Sequence, residues 1–140
     1  MSGDYYAYGS SMLISPPVNL PSPLPGQALQ LCCKEYYSYA AYDAGTLRLS
    51  IYEPTNQQWG SWIDLRSVSG NSGGWISTCV PLTTYTGRRV RFAFNHYATR
   101  QPNGNYVSEA DGWYVDDIFL KIGNLAISAI PDKAVNELAP

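Results

Sequence analysis

The chain has 140 residues, a formal net charge of −2 and only 14% charged residues. Its largest Lys/Arg cluster is the pair Arg88-Arg89, so it lacks the basic face that nucleic acid or an anionic membrane would require. No apolar run approaches the ~18 residues of a transmembrane helix, and residues 1–4 show no secretion signal. We therefore expect neither a nucleic-acid partner nor membrane insertion. The length fits one domain, since domains commonly have ~100–150 residues.

The composition favours strands and turns. Twelve Tyr and four Trp accompany 10 Pro and 12 Gly; aromatic residues favour strands, and Pro and Gly favour turns. Segments with strand-like patterns recur at the short spacing typical of β-sandwiches. The sequence predicts an all-β fold, a two-sheet antiparallel β-sandwich, with seven strands at 12–17, 28–37, 46–53, 62–65, 75–82, 89–97 and 113–122.

Alternation within three of these segments indicates which side chains face the core. The predicted inward sets are Leu29, Leu31 and Cys33; Leu47, Leu49 and Ile51; and Val90, Phe92 and Phe94. Residues 123–140 lose the aromatic character of the rest of the chain. We predict a sandwich domain over 1–122, with 123–140 as a linker or the start of a neighbouring segment.

Three cysteines leave two alternatives open. Cys32 and Cys33 are adjacent and Cys79 is distant, so one cysteine remains unpaired within the chain if a disulfide forms. Adjacent residues of a strand face opposite sides, so only one of the pair can reach Cys79. The alternative is three buried, reduced thiols.

The closing strand carries two adjacent carboxylates, Asp116 and Asp117. Carboxylates inside an apolar strand are costly without a neutralising partner. Trp113 and Val115 point one way while Ile118 and Leu120 point the other, which predicts a β-bulge at 116–117 that re-aims a carboxylate. Oxygen ligands of this kind suit Ca²⁺; the alternative is a carboxylate that caps loop amides.

A set of motifs occurs in a fixed order within residues 11–122, at 13–16, 29–31, 43–50, 75, 80–92 and 112–118. This ordered set resembles the MAM-like jelly-roll modules of secreted bacterial proteins, including the C-terminal region of immune-inhibitor-A-type proteases and the cleaved adhesin domains of gingipains. The resemblance implies jelly-roll topology, a secreted or cell-surface location and structural calcium. It maps the first closing Asp, a typical ligand, onto Asp116 and a second acidic position onto Asp43; Asp117 is the third candidate. The turn at 53–56 departs from the family pattern.

Aromatic side chains are candidates for sugar binding, because exposed rings offer a large contact area and a polar handle at small entropic cost. We select Tyr37, Tyr39, Tyr42 and Trp59 as candidate ligand-binding residues. The alternative is that alternating tyrosines shield a sheet face. The resemblance places Trp59 or Trp62, Trp75 and Trp113 in core or edge-sealing positions.

The sequence predicts no catalytic residues. Gly70-Asn71-Ser72-Gly73-Gly74 fits a nucleophile motif, yet a strand follows it where a nucleophile elbow requires a helix. Asp116 and Asp117 are adjacent and diverge, whereas glycosidase carboxylates face one another across ~5–9 Å. The leading hypothesis is a non-catalytic carbohydrate-binding or adhesion-type accessory module of a larger secreted protein, with structural calcium. Its partner is a polysaccharide or glycan, or neighbouring domains of the same protein. The alternative is a structural spacer or protease-associated domain that makes protein contacts.

Overall fold

A computed structural model describes residues 9–98 and 110–124. Within them the chain forms nine strands and one turn of 3-10 helix at Thr83–Tyr85. No helix in this part of the chain is long and apolar enough to cross a membrane. The strands are β1 (Gly9–Ile14), β2 (Val18–Asn19), β3 (Gln27–Ser38), β4 (Ala44–Glu53), β5 (Gln58–Trp59), β6 (Ile63–Val68), β7 (Ile76–Pro81), β8 (Arg89–Ala98) and β9 (Gly112–Asn124).

Two antiparallel sheets make up the fold. The larger has the order β1-β8-β4-β5, with β2 also paired to β8 and β6 to β4. The smaller has the order β7-β3-β9. The predicted all-β, two-sheet architecture is confirmed, while the jelly-roll connectivity stays a prediction.

All seven predicted strands are present with shifted ends. β1 ends at Ile14, before Pro16 and Pro17, because proline cannot donate to a ladder. The two-residue strands β2 and β5 were not predicted, since two residues carry no periodic pattern. β9 continues to Asn124, two residues beyond the predicted end of the domain at 122; residues 125–140 lie outside the described residues, and the assignment of 123–140 stays a prediction.

The core lies between the sheets, and the predicted inward faces of β3, β4 and β8 are confirmed. Each large apolar side chain buried there contributes about 1.5–3 kcal/mol. The buried members are Leu20, Leu29, Leu31, Leu47, Leu49, Val80, Leu82, Val90 and Phe92.

A buried carboxylate joins the two sheets. Glu35 on β3 is fully buried, and Arg66 on β6 of the other sheet forms a bidentate pair with it, with N–O distances of 2.7 and 2.9 Å. Thr78 Oγ1 and Trp113 Nε1 donate to the same carboxylate at 2.6 and 3.0 Å. Four donors thus saturate Glu35, which satisfies the requirement that a buried charge be paired and hydrogen-bonded.

Close packing around Trp113 explains a glycine in β4. A Cβ at Gly45 would lie 2.5 Å from Trp113 Cε3 and 2.6 Å from the Tyr39 hydroxyl. Only glycine therefore allows the Trp113 ring to lie over β4 while its Nε1 reaches Glu35.

The predicted bulge is present one residue further along β9. Lys34 lies opposite Asp116 and Cys32 opposite Phe119, so Asp117 and Ile118 together oppose Cys33. Asp117 has a φ of +52°, in the left-handed region that Asp tolerates better than most residues. The extra residue changes which face the strand presents, as the parity switch in the sequence indicated.

The structure decides between the cysteine alternatives. Cys32 and Cys79 lie opposite each other on β3 and β7 and form a disulfide. Cys33 faces the interior and is a free, half-buried thiol. Burial, with a further contribution from Glu35, raises the pKa of Cys33 above its ordinary value.

Replacing Glu35 tests how much the buried cluster stabilises the fold. We expect Glu35→Ala to lower the free energy of unfolding in urea by about 3–5 kcal/mol, because Arg66 would remain largely buried without its partner. The matched control is Glu53→Ala, which removes an exposed pair with Arg88 and should cost at most about 1 kcal/mol. Equal effects of the two variants would contradict the role assigned to Glu35.

Thiol titration tests the cysteine assignment. Without reductant, the unfolded chain should show one reactive thiol out of three cysteines. In the folded protein Cys33 should alkylate slowly near pH 8, because its raised pKa and its burial reduce the accessible thiolate. Three reactive thiols in the non-reduced, unfolded chain would contradict the disulfide.

Candidate functional site

Three aromatic side chains form a row across the outer face of the smaller sheet. Tyr36 on β3 lies directly opposite Tyr114 on β9. On the other side Glu35 lies opposite Ile76, which brings Trp75, the residue before β7, beside Tyr36. The ring centroids of Trp75 and Tyr36 are 6.1 Å apart, and those of Tyr36 and Tyr114 are 5.8 Å apart. We call Trp75, Tyr36 and Tyr114 the aromatic row.

The row is open to solvent. Trp75 is 57% exposed and Tyr114 45% exposed, while Tyr36 between them is half-buried. The rings are tilted, by 37° between Tyr36 and Trp75 and by 51° between Tyr36 and Tyr114. Exposed large aromatic side chains in contact with one another mark an interaction surface more strongly than scattered ones.

A carboxylate fixes the central ring. The Tyr36 hydroxyl donates to Asp111 Oδ2 at 2.7 Å, and this hydrogen bond is the main cause of a raised pKa for Tyr36. Tyr36 therefore stays neutral and Asp111 keeps its ring in place. Asp111 thus lies beside the central ring of the row.

A polar row runs beside the aromatic one. Lys34 lies two residues before Tyr36 and opposite both Ser77 and Asp116. Its ammonium group is 3.8 Å from Asp117, and both side chains are exposed. Hydroxyl, ammonium and carboxylate groups thus lie next to three aromatic rings.

A cleft opens next to the aromatic row, between the edge strands β1 and β9. It has a volume of about 480 Å³, within the usual range for ligand sites. Tyr114 and Asp111 border both the cleft and the row. Most of its other lining is apolar, and includes Leu13, Phe94, Val115 and Ile118, with His96 and Ser11 as polar groups.

The predicted tyrosines do not form one exposed platform. Tyr39 is 8% exposed and stacks on His96 with centroids 5.6 Å apart. Tyr37 lies opposite Trp113, on the inward-facing side of β3, and its backbone N–H donates to the Ser72 hydroxyl. Tyr42 is exposed in the turn before β4, at a φ of +71°. Alternation along β3 turns Tyr37 away from Tyr36, so these tyrosines lie apart, and their role in ligand binding stays a prediction.

Trp59 lies in a different sheet and has its own partners. It contacts Tyr52 edge-to-face at 5.3 Å, and the Arg91 guanidinium lies 4.6 Å from its ring centre and 5.0 Å from that of Trp62. Cation–π contacts of this kind stabilise an outer sheet face. Trp59 and Trp62 thus pack against Arg91, whereas Trp75 is exposed; a ligand-binding role for Trp59 stays a prediction.

The candidate calcium ligands lie on separate elements. Asp43 is buried in the turn before β4. Asp116 and Asp117 are exposed on β9, where Asp116 Oδ1 accepts the Asp117 N–H at 2.8 Å. Residues 9–98 and 110–124 contain no group of three or more His, Cys, Asp or Glu side chains that could hold a metal ion. These residues do not by themselves assemble a site, and calcium binding stays a prediction.

Ser72 of the nucleophile-like motif is bound to backbone groups. Its hydroxyl accepts the Tyr37 N–H at 3.0 Å and donates to the Gly74 carbonyl at 2.6 Å. This attaches the 70–74 loop to the end of β3, where Ser38 and Asn71 form a bridge. His96, whose pKa burial lowers despite the nearby Asp43, lies in the cleft and contacts Tyr39.

The sequence contained a signal for the aromatic row that the prediction missed. Tyr36 and Tyr114 share the outward phase of their strands, and Trp75 directly precedes β7. Phase alone does not reveal which strands are neighbours, so the three residues could not be grouped before the order β7-β3-β9 was known.

No protein-family model matches the chain, and no curated protein is similar to it. The MAM-like assignment therefore rests on the sequence motifs alone.

Thermal unfolding with and without calcium tests the metal hypothesis. The sequence predicts a higher melting temperature in calcium than in EDTA, since an ion that binds only the folded state stabilises it by about 3 kcal/mol at a hundredfold excess over Kd. Asp116→Asn should abolish the shift, and Asp64→Asn, which changes an exposed aspartate on β6, should retain it. Equal melting temperatures in calcium and EDTA would contradict the hypothesis.

Proposed function

We propose that the chain is a non-catalytic carbohydrate-binding module of a secreted or cell-surface protein, and that the aromatic row is its binding surface. The observation that carries the proposal is the alignment of Trp75, Tyr36 and Tyr114 across three adjacent strands, open to solvent and bordered by polar groups. The sheet is preformed, so binding requires little ordering of the protein.

The chemistry of the surface matches that of a sugar. An aromatic face carries negative partial charge, and the C–H groups on one face of a pyranose ring carry positive partial charge. Stacking therefore holds the apolar face of the sugar. Asp111, beside the central ring, accepts hydrogen bonds from the hydroxyls of the sugar, and Lys34 and Ser77 donate to them from the side.

The placement of the acidic side chains favours binding over catalysis. Glu35 already accepts four hydrogen bonds in the interior, which leaves it no capacity for proton transfer to a substrate. Glu53 is exposed and paired with Arg88. Asp111 accepts the hydrogen bond of the Tyr36 hydroxyl and so holds the central ring of the row.

The disulfide supports the proposed location. A bond between Cys32 and Cys79 is typical of a protein that folds in an oxidising compartment, such as the exterior of a cell. We propose structural calcium as a further property of such a module.

A second function, contact with a neighbouring domain, has its own supporting observation. Apolar side chains are exposed at the edge of the sandwich where the cleft opens between β1 and β9. Leu13 on β1 is 73% exposed, and Ile118 on β9 is 51% exposed. Exposed apolar groups of this kind are typical of protein-contact surfaces. Leu13→Ser and Ile118→Ser would weaken that contact and leave glycan binding intact, which separates the two functions.

Alanine variants of the row test the sugar proposal. We expect Trp75→Ala and Tyr114→Ala each to weaken retention in polysaccharide-containing native gels. The loss per ring should be about two- to tenfold, if a sugar–ring contact resembles an aromatic pair worth about 0.5–1.5 kcal/mol. Unfolding midpoints should change little because both rings are exposed.

The matched control is Tyr97→Ala. Tyr97 is 49% exposed on β8 of the other sheet, so it has the residue type and the exposure of Tyr114 but lies away from the row. Tyr42→Ala tests the sequence-predicted site in the same way. Equal losses in Tyr97→Ala and Tyr114→Ala, or a loss confined to Tyr42→Ala, would count against the aromatic row.

A further inference from the structure

We infer that the aromatic row selects a single, soluble chain of neutral, β-linked sugars, and that it binds three consecutive sugar rings of that chain across the strands. The inference rests on the proposed carbohydrate-binding function and adds the class of ligand. It depends on the spacing, tilt and charge of the surface.

The spacing fits one sugar per aromatic ring. Neighbouring centroids lie 6.1 and 5.8 Å apart. Successive pyranose rings of an extended chain follow one another at a comparable interval, since their centres are separated by half of each ring and one bridging oxygen. Equatorial β-linkages keep such a chain extended, whereas a coiled chain would leave the row after one or two rings.

The direction of the bound glycan follows from the order of the strands in the smaller sheet. Trp75, Tyr36 and Tyr114 belong to or adjoin β7, β3 and β9, which are successive neighbours in the sheet. The glycan therefore runs roughly perpendicular to the strands. The polar row of Ser77, Lys34 and Asp116 lies parallel to it, one side-chain layer away on the same face.

The tilt of the aromatic rings relative to one another favours a single glycan chain over the flat surface of a crystalline polysaccharide. No two neighbouring rings are coplanar, with interplanar angles of 37° and 51°. Twist between adjacent strands contributes about 20–25° per strand to such angles. A flat crystalline face would contact only one ring at a time, but a free chain can rotate about its linkages and present each sugar to its own ring.

The charge beside the row selects against acidic sugars. Asp111 lies beside the central ring of the aromatic row, and Asp116 and Asp117 lie next to the row together with the cation Lys34. Lys34 is already engaged with Asp117. A uronate or sulfated chain would meet net repulsion there, because like charges across an interface disfavour binding.

Calorimetric titration of the full chain with soluble oligosaccharides measures the length dependence. The probes are cello-, xylo- and manno-oligosaccharides of two to six residues. For the series that binds, we expect affinity to rise about tenfold from two to three residues. From three to six residues it should rise by no more than the number of three-residue registers that the longer chain offers. In Trp75→Ala, which leaves two rings, the rise between two and three residues should disappear.

Matched polymers measure charge and surface selectivity. Hydroxyethyl cellulose and carboxymethyl cellulose share a backbone and differ in charge, and microcrystalline cellulose offers the same backbone as a flat surface; xylan and glucuronoxylan form a second neutral and acidic pair. We expect the neutral soluble polymer of each pair to retain the protein, and the acidic polymer to retain it at least fivefold more weakly. Microcrystalline cellulose should not pull the protein down.

The outcomes separate the inference from the proposed function. Three results would overturn the ligand class but leave carbohydrate binding in place, provided that binding still depends on Trp75 and Tyr114. They are equal affinity for acidic and neutral polymers, equal affinity for oligosaccharides of two and three residues, and binding to microcrystalline cellulose alone. Absence of binding to every probe in both panels overturns the proposed function as well.

Discussion

The fold depends on the buried carboxylate of Glu35. A charge placed between two sheets costs several kcal/mol unless its oxygens are saturated, and the four donors that saturate them come from β6, β7 and β9. This requirement fixes the position of Arg66 across the sandwich and that of Trp113 on the neighbouring strand. It also explains Gly45, since any side chain there would displace the Trp113 ring.

The same constraint determines what the outer face of the smaller sheet presents. Trp113 and Glu35 point inward, so the residues that follow them, Tyr114 and Tyr36, point outward and lie side by side. The Cys32–Cys79 disulfide holds β3 against β7 and keeps Trp75 in register with Tyr36. The position of the aromatic row is thus a consequence of how the interior is packed.

The two sheets use their outer aromatic residues differently. On the larger sheet Trp59 and Trp62 lie against the guanidinium of Arg91, which occupies ring surface that a ligand would need. On the smaller sheet Tyr36 and Tyr114 contact each other and remain accessible, and no arginine within residues 9–98 and 110–124 lies over either ring. Accessibility rather than residue type distinguishes the candidate site, and the sequence does not show which rings are accessible; the resemblance placed Trp75, which is exposed, in a core or edge-sealing position.

The sequence by itself determined the all-β class, the two-sheet packing, the inward faces of β3, β4 and β8, and the bulge in β9 to within one residue. Each follows from alternation along one strand, which is a local property. Only the tertiary structure decided that Cys32 rather than Cys33 pairs with Cys79, that Glu35 is buried, and that Trp75, Tyr36 and Tyr114 form a row. These depend on which strands are neighbours and in what register, and pairings between residues distant in the chain leave no periodic signal in the sequence.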